Sequence, residues 1–187
     1  MNRATYETIA TALSYPVQGY SAAVRRVPEL APLECAADAG EFAQSIAALP
    51  LEAQQELFTQ TFDLNPVCSL ELGWHLFGEN YERGLLLVRM REQLRSAGIS
   101  EDGELPDHLT YALRLLPRME QVQAADFIGA IVMPALTKMI RAMRGKRNPY
   151  EKLLHCLTLV MRSDFPEIPL PENNVELPVL PQEEVIL

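Results

Sequence analysis

Apolar residues recur along most of the chain at intervals of three and four positions, the spacing of a helix that buries one face. This pattern predicts helices over residues 2–14, 21–27, 34–48, 51–64, a short segment ending at Gly78, a longer segment ending near Ala97, residues 106–119, residues 124–143 and a last segment beginning at Pro149. The alternation of apolar and polar residues that indicates strands is almost absent before residue 165. The predicted fold class is therefore all-α, a single-domain helical bundle over residues 1–165.

Glycine, asparagine and proline mark where these helices end, begin and bend. Gly98 follows the apolar pattern and suits a helix C-terminus. Asn148 is a good N-cap for the last helix, with Pro149 at the first helical position. Pro134 lies inside the segment 124–143, where it removes one backbone hydrogen bond and is expected to bend the helix.

The last residues, 166–187, differ in composition from the rest of the chain. They include five prolines and five glutamates and no lysine or arginine. Such a segment is expected to be extended rather than packed. It also carries apolar residues, Val175, Leu177 and Val185–Leu187 among them, so docking onto another surface is the alternative. Residues 166–187 are treated as an extended acidic tail, separate from the helical domain.

Composition and charge limit the classes of function. The chain has 187 residues, 48% of them hydrophobic and 22% charged, which fits one ordinary globular domain. Its net charge of −9 argues against nucleic acid as the main partner, because phosphate contacts require clustered lysine and arginine. An acidic surface favours basic partners instead.

The cysteines and the start of the chain indicate a compartment. Cys35, Cys68 and Cys156 are scattered and odd in number, which predicts reduced thiols rather than a disulfide framework. The first twenty residues lack the apolar core of a secretory signal. No apolar run approaches the ~20 residues that span a bilayer. We therefore expect a cytoplasmic protein that does not enter a membrane.

The motifs of common metal, nucleotide and nucleophile sites are missing from the sequence. The three histidines, His75, His108 and His155, are isolated, and neither HExxH nor CxxC occurs. No GxxxxGK[ST] loop and no glycine-rich turn after a strand is present. Cys68 has no local signature of a catalytic thiol and is expected to be buried or half-buried. No tightly bound cofactor or metal is predicted.

The stretch "ELPDHL", Glu104 to Leu109, places an aspartate beside a histidine. Pro106 and Asp107 suit the first turn of a helix, and the flanking leucines can anchor that turn to the core. A helix start therefore explains most of the stretch, but it does not explain His108. A catalytic pair, a metal half-site and a recognition point for another chain are the alternatives.

Four segments together resemble a known family. They are "TFDL", "SLELGWHLFGENYERGLLLVRMREQLRSAGI", "ELPDHLTYALRLL" and "NPYEKLL", and they lie between Phe58 and Leu154. Their order and spacing resemble the nitrate reductase delta-subunit, or NarJ-type, molybdenum-cofactor assembly chaperones. These belong to the wider TorD/DmsD group of redox-enzyme maturation proteins. The N-terminal helices and the tail do not contribute to the resemblance.

The resemblance implies a TorD-like fold and a non-catalytic role. Such chaperones bind the apo catalytic subunit of a molybdenum enzyme in the cytoplasm and hold its N-terminal segment, often a twin-arginine leader or a remnant of one. They delay export or membrane docking until the molybdopterin cofactor is inserted, and any association of the chaperone with that cofactor is transient. The peptide-binding residues implied are Phe62, Asp63, Leu64, Trp74, Phe77, Glu104, Leu105, Pro106, Asp107 and His108.

The chemistry of a leader fits residues of these types. A leader is basic at one end and apolar in its middle, so its site needs an apolar groove with acidic groups near the mouth. Asp107 is a charge-assisted acceptor for an arginine, and His108 can donate or accept a hydrogen bond. Whether the apolar residues form groove wall or plain core stays open; they are Phe62, Leu64, Trp74, Leu76 and Phe77.

Two other interpretations remain beside the chaperone. The chain could be a permanent structural subunit of a respiratory oxidoreductase complex, or an enzyme that uses Asp107 and His108. Adjacent residues at a helix start rarely reach the geometry of a catalytic pair, which disfavours the enzyme. The sequence names neither the client enzyme nor the oligomeric state, so a homodimer is left open.

Overall fold

The structure is a computed structural model, and it describes residues 1–167. The predicted acidic tail lies outside the described residues, apart from its first two positions. Within residues 1–167 the chain folds as one all-α domain, which confirms the predicted fold class. Residues 1–167 contain no strand, and the one extended pairing there is an isolated antiparallel bridge between Glu71 and His108.

Eleven α-helices follow one another within the described residues, several of them extended by a short 3₁₀ or π turn. They are α1 (Arg3–Ala12), α2 (Tyr20–Val24), α3 (Val27–Leu30), α4 (Ala36–Ala47), α5 (Leu51–Phe58), α6 (Leu72–Phe77), α7 (Tyr81–Ser96), α8 (Leu109–Leu115), α9 (Gln121–Phe127), α10 (Met133–Met143) and α11 (Pro149–Asp164). π turns over Thr59–Asp63 and Ile128–Val132 continue α5 and join α9 to α10.

The bundle is organised around α11 and α10. Helix α4 packs along α11, α1 packs against α8, and α10 lies between α11 and α6. An aromatic cluster joins α5 and its π turn to the start of α11, with the ring of Phe62 centred 4.8 Å from that of Tyr150 and 5.0 Å from that of Phe58. The cluster fixes the π turn against the core, and the π turn carries residues of the candidate site.

Helix α11 begins as its sequence predicts. The Asn148 side chain accepts a hydrogen bond from the backbone N–H of Tyr150 at 3.0 Å, and Pro149 occupies the first turn. The Asn148 amide also donates to the hydroxyl of Thr61 at 2.7 Å. One side chain therefore caps α11 and ties it to the π turn after α5.

The segment that contains Pro134 forms one continuous helical stretch, Gln121–Met143. A π turn immediately precedes α10, and Pro134, which has no backbone N–H to donate, lies in the first turn of α10. The bend expected at Pro134 stays a prediction. The stretch has 23 residues, and by length and composition it could cross a membrane. Its most apolar 18 residues have a mean hydropathy of 1.2, and 44% of these 18 residues are buried inside the domain. The expectation that no stretch reaches that length is wrong, although buried core helices meet the same criteria.

Two predicted boundaries differ from the structure. The segment 21–27 is divided between α2 and α3, and Pro28 opens α3 instead of ending a helix. The helix predicted to begin at Pro106 begins at Leu109, with His108 as its N-cap. Pro106 and Asp107 precede the helix because their backbone runs beside the segment before α6.

Candidate functional site

Two distant segments meet at the isolated bridge. The backbone N–H of Leu72 donates to the carbonyl of Asp107 at 2.9 Å, and the N–H of Leu109 donates to the carbonyl of Leu70 at 2.8 Å. The bridge therefore holds the start of α6 against the start of α8. It brings the "ELPDHL" stretch beside the residues that follow the π turn.

A pocket of about 420 Å³ opens beside this bridge. Its lining combines three carboxylates and one guanidinium with aromatic and apolar side chains. The lining residues are Phe62, Asp63, Pro66, Ser69, Leu70, Glu71, Trp74, Arg83, Glu104 and His108. They come from the π turn, the segment before α6, α6 itself, α7 and the segment before α8.

The aspartate of the stretch is fully buried. Oδ2 of Asp107 accepts from the backbone N–H of Gly73 at 3.1 Å and from Nε of Arg83 at 3.2 Å, while Oδ1 has no hydrogen-bond partner among the described residues. The side chain is 0% exposed. The expectation that Asp107 offers its carboxylate to an incoming arginine does not fit this geometry, because an arginine of this chain already holds it.

Arg83 joins two carboxylates from separate segments. Its Nη2 lies 2.5 Å from Oε2 of Glu71, its Nε contacts Asp107, and its guanidinium carbon lies 5.8 Å from the centre of the Trp74 ring. Burial lowers the pKa of Arg83, but Asp107 and Glu71 outweigh burial and raise the pKa above its ordinary value. The guanidinium is therefore a fixed cation in the pocket wall.

His108 lines the pocket and caps α8. Its Nδ1 accepts from the backbone N–H of Thr110 at 3.4 Å and lies 2.7 Å from the Thr110 hydroxyl, which places the ring proton on Nε2. Only 8% of the residue is exposed. Burial, with a smaller effect of Arg114, lowers the pKa of His108 to about 4, so the ring is neutral near pH 7.

The mouth of the pocket is acidic. Asp63 and Glu104 are both exposed, whereas Glu71 is half-buried against Arg83. Burial raises the pKa of Glu104, and the nearby charges of Asp63 and Glu71 raise it further. Carboxylates that repel one another in this way provide a favourable place for a cation.

Apolar side chains stand exposed next to the acidic residues. Leu64 is 73% exposed, Val67 56% and Leu105 41%, and each is adjacent in sequence to a pocket residue. We call Leu64, Val67 and Leu105 the apolar rim. An acidic pocket with an apolar rim matches a ligand that carries both a cation and apolar side chains.

The π turn sets the position of one wall. Its five residues, Thr59–Asp63, follow α5 without a break. The Thr59 hydroxyl donates to Oδ2 of Asp63 at 2.9 Å, and Phe62 is buried in the aromatic cluster. The extra residue in the turn thus lets one side chain enter the core while its neighbour reaches the pocket mouth.

The structure brings together half of the ten predicted residues at this pocket: Phe62, Asp63, Trp74, Glu104 and His108. Leu64 and Leu105 stand exposed beside it, and Pro106 and Asp107 are buried behind it. Phe77 is half-buried and packs against the core. Sequence reasoning missed Glu71 and Arg83, although both lie within the "SLELGW" to "YERG" stretch that resembles the family.

No group of three or more metal-ligating side chains occurs among residues 1–167. The three cysteines are all buried, and burial is the main cause that raises the pKa of each thiol. The carboxylate of Asp107 is directed to Gly73 and Arg83, while the His108 ring is directed to Thr110. The aspartate therefore does not orient the histidine, as a catalytic Asp–His pair requires.

The helical domain thus carries an acidic pocket with an apolar rim beside it, and comparison with known proteins identifies its family. A model of the nitrate reductase delta subunit family matches residues 29–144, well over half of the chain. The chain therefore belongs to the nitrate reductase delta subunit family, as its sequence motifs predict.

Individual relatives carry the name of an assembly chaperone. The chain is 30% identical over 128 residues to the nitrate reductase molybdenum cofactor assembly chaperone NarJ of Escherichia coli strain K12, and equally to that of strain O157:H7. The match covers 67% of this chain and 53% of those proteins, so the chain spans about half their length. It is 22% identical over 164 residues to the probable NarJ of Bacillus subtilis, covering 85% of this chain and 89% of that protein.

Proposed function

We propose that this protein is a cytoplasmic assembly chaperone for a nitrate-reductase-like molybdoenzyme. It binds the apo catalytic subunit through that subunit's N-terminal segment and assists insertion of the molybdenum cofactor before export or membrane docking. Family membership supports the class of function. The observation that carries the binding mode is the pocket at the "ELPDHL" stretch, with carboxylates at its mouth and an apolar rim beside them.

The pocket suits a basic and apolar peptide. An arginine or lysine enters between Asp63 and Glu104, and the apolar part of the peptide covers Leu64, Val67 and Leu105. Trp74 supplies a flat wall, and its indole is held by a hydrogen bond from Nε1 to the carbonyl of Pro66 at 3.0 Å. An aromatic wall beside carboxylates stabilises a cation by stacking as well as by charge.

The expected affinity is moderate. Ordering a flexible peptide costs ~2–5 kcal/mol, and each leucine-sized side chain buried returns ~1.5–3 kcal/mol. A micromolar complex requires ~8 kcal/mol net, after the cost of lost overall motion. Three rim contacts alone fall short of that figure, so the charged contacts at the mouth are needed. Reversible binding of this strength suits a chaperone that must release its client.

The role we propose is non-catalytic. Asp107 is held by Arg83 and Gly73, and His108 is a buried, neutral N-cap. Both side chains are thus used for structure, which weakens the interpretation of an Asp107–His108 enzyme. We propose that the molybdopterin cofactor is held by the client and meets this chain only while the client is bound.

Calorimetry tests this proposal. The titrant is a synthetic peptide with the N-terminal sequence of a molybdopterin-binding catalytic subunit from the same organism, and the full apo-subunit is titrated in parallel. We expect micromolar binding of the peptide and tighter binding of the apo-subunit. Absence of binding to both would overturn the proposed function.

A second measurement separates a chaperone from a permanent subunit. The client complex is purified before and after it acquires its molybdenum cofactor, and the amount of this protein in each preparation is measured. A chaperone is present with the apo-subunit and absent from the mature enzyme. Equal amounts in both preparations would favour the structural subunit instead.

A further inference from the structure

Four carboxylates lie in or directly beside the pocket. Asp63, Glu71 and Glu104 line it, and Asp107 lies directly behind the wall. These four groups differ in their partners. Two are bonded to the same guanidinium, Arg83, and the other two are exposed at the mouth.

Resting on the proposed function, we propose a division of labour among these groups. Asp63 and Glu104 form the pair that receives the ligand's cation. Arg83 is a positioning residue that pairs with both Asp107 and Glu71 and holds the wall formed by the start of α6. Asp107, the most conspicuous acidic residue of the "ELPDHL" stretch, therefore acts on the ligand only through Arg83.

Geometry supports the positioning role of Arg83. The residue lies on α7, Glu71 precedes α6, and Asp107 precedes α8, so one side chain ties three segments together. Two of its three nitrogens, Nε and Nη2, contact carboxylates at 3.2 and 2.5 Å, and its side chain is 13% exposed. A planar guanidinium with several donors makes such a two-sided contact, whereas a lysine offers one ammonium.

Close packing behind the wall leaves little room for a ligand at Oδ2 of Asp107. A Cβ placed on Gly73 would lie 2.7 Å from Oδ2 of Asp107 and 3.1 Å from Cγ of Arg83. The carboxylate is thus enclosed between the amide of Gly73 and the guanidinium. A ligand arginine would have to displace Arg83 to reach Oδ2.

The mouth pair has the opposite character. Asp63 and Glu104 are exposed, and the charge of Asp63 is one of the causes that raise the pKa of Glu104. Asp63 accepts a hydrogen bond from the neutral hydroxyl of Thr59, which leaves its negative charge uncompensated by that contact. Such a pair gains from a cation that lies between the two carboxylates.

The test compares two peptides on the full chain. One is the client's N-terminal peptide used above, and the other has citrulline at each arginine, which keeps the shape and removes the charge. The ratio of their affinities measures the direct contact with the cation. We expect Glu104→Gln and Asp63→Asn each to reduce this ratio by about tenfold, the loss of one charge-assisted contact.

Asp107→Asn is expected to behave differently. It lowers the affinity for both peptides and leaves their ratio within about twofold of the wild-type ratio, as independent sites do. If Asp107→Asn removes the discrimination between the peptides while Glu104→Gln preserves it, the assignment is wrong. That result would make Asp107 the direct contact.

Two further readouts are independent of the client. Trp74 is the only tryptophan of the chain and lies against Arg83, so its fluorescence reports the wall. We expect Asp107→Asn to shift its emission and raise its quenching by acrylamide, with Glu104→Gln unchanged. Unaltered Trp74 fluorescence in Asp107→Asn would overturn the positioning role.

Rescue separates charge pairing from general damage to the fold. Arg83→Gln leaves Asp107 buried without its cation, which is strongly destabilising, whereas Arg83→Gln combined with Asp107→Asn is a neutral pair. We expect the double variant to unfold at higher denaturant concentration than Arg83→Gln alone. If the double variant is no more stable, the pairing is wrong. If the wild type binds neither peptide, the proposed function fails, and the fluorescence and rescue results still decide the role of Arg83.

Discussion

The backbone amide of Gly73 donates a hydrogen bond to Oδ2 of Asp107 at 3.1 Å, across 34 positions of sequence. The contact brings the first turn of α6 against the segment before α8, and it requires a residue without a side chain at position 73. A Cβ there would lie 2.7 Å from the carboxylate oxygen. Glycine is needed at this position for close approach rather than for an unusual backbone angle.

Gly73→Ala is therefore expected to destabilise the fold. The added methyl group must push Asp107 or Arg83 out of place, which costs about 1–3 kcal/mol, the usual cost of overpacking. Gly84→Ala is the matched control, because Gly84 lies within α7 and nothing lies within 4 Å of an added Cβ. That variant is expected to gain about 0.5–1 kcal/mol from the higher helix propensity of alanine.

Denaturant unfolding of the two variants measures both effects. If Gly73→Ala and Gly84→Ala change the free energy of unfolding in the same direction and by similar amounts, the close packing of Gly73 against Asp107 does not constrain the fold. The peptide affinity of Gly73→Ala is also expected to fall, because the displaced Arg83 no longer holds the pocket wall.

Much of the fold follows from the sequence because helical periodicity is a local signal. The N-cap at Asn148, the fold class and the helix boundary near Gly98 all depend on residues within a few positions of one another. Gly98 adopts a φ of +66°, as a glycine after a helix commonly does. The family resemblance, and not helical periodicity, singled out Phe62, Trp74 and Glu104, which line the pocket.

The remainder depends on contacts that span the sequence. Pro106 and Asp107 satisfy the local rules for a helix start, yet the helix begins at Leu109 because Asp107 pairs with the segment before α6. The role of Arg83 was not predicted for the same reason. Its partners, Glu71 and Asp107, lie 12 and 24 positions away. Periodicity shows that α7 is a helix but does not show which carboxylates face it.

His108 makes the stability of the fold depend on pH. Its pKa in the folded chain is lowered to about 4, from 6.5 in an unfolded chain, chiefly by burial. The unfolded chain therefore binds more protons between these values, so stability is fully present above pH 6.5 and is lost as the pH falls toward 4. The shift corresponds to a loss of about 3 kcal/mol at the acid end.

His108→Asn isolates this effect. Asparagine is a good N-cap and does not titrate, so the variant keeps the cap of α8 and loses the pH dependence that His108 contributes. The measurement is the difference in the free energy of unfolding between wild type and variant at several pH values from 4 to 7. The wild type should lose stability relative to the variant as the pH falls. A constant difference would show that His108 is not buried as a neutral ring.

Asn148 connects the core to the pocket wall. Its side-chain oxygen caps α11, and its side-chain nitrogen donates to Thr61 in the π turn. Asn148→Ala removes both contacts and is expected to cost about 1–2 kcal/mol. Asn148→Asp keeps an acceptor for the cap and removes the donor to Thr61, so its stability should lie between those of Asn148→Ala and the wild type. Equal losses in the two variants would mean that the cap contributes little.

The apolar rim offers a test of binding with little effect on folding. Leu64 and Val67 are 73% and 56% exposed, so Leu64→Ser and Val67→Ser should change the free energy of unfolding by less than about 0.5 kcal/mol. Each substitution should nevertheless weaken binding of the client's N-terminal peptide. A leucine or valine that the peptide covers fully contributes about 1.5–3 kcal/mol to binding, and serine does not supply this contribution. Val122→Ser is the matched control, since Val122 is 73% exposed on α9 and does not line the pocket. Calorimetric titration of the three variants separates these sites, and an affinity loss in Val122→Ser equal to that in Leu64→Ser would show that the peptide does not bind at the rim.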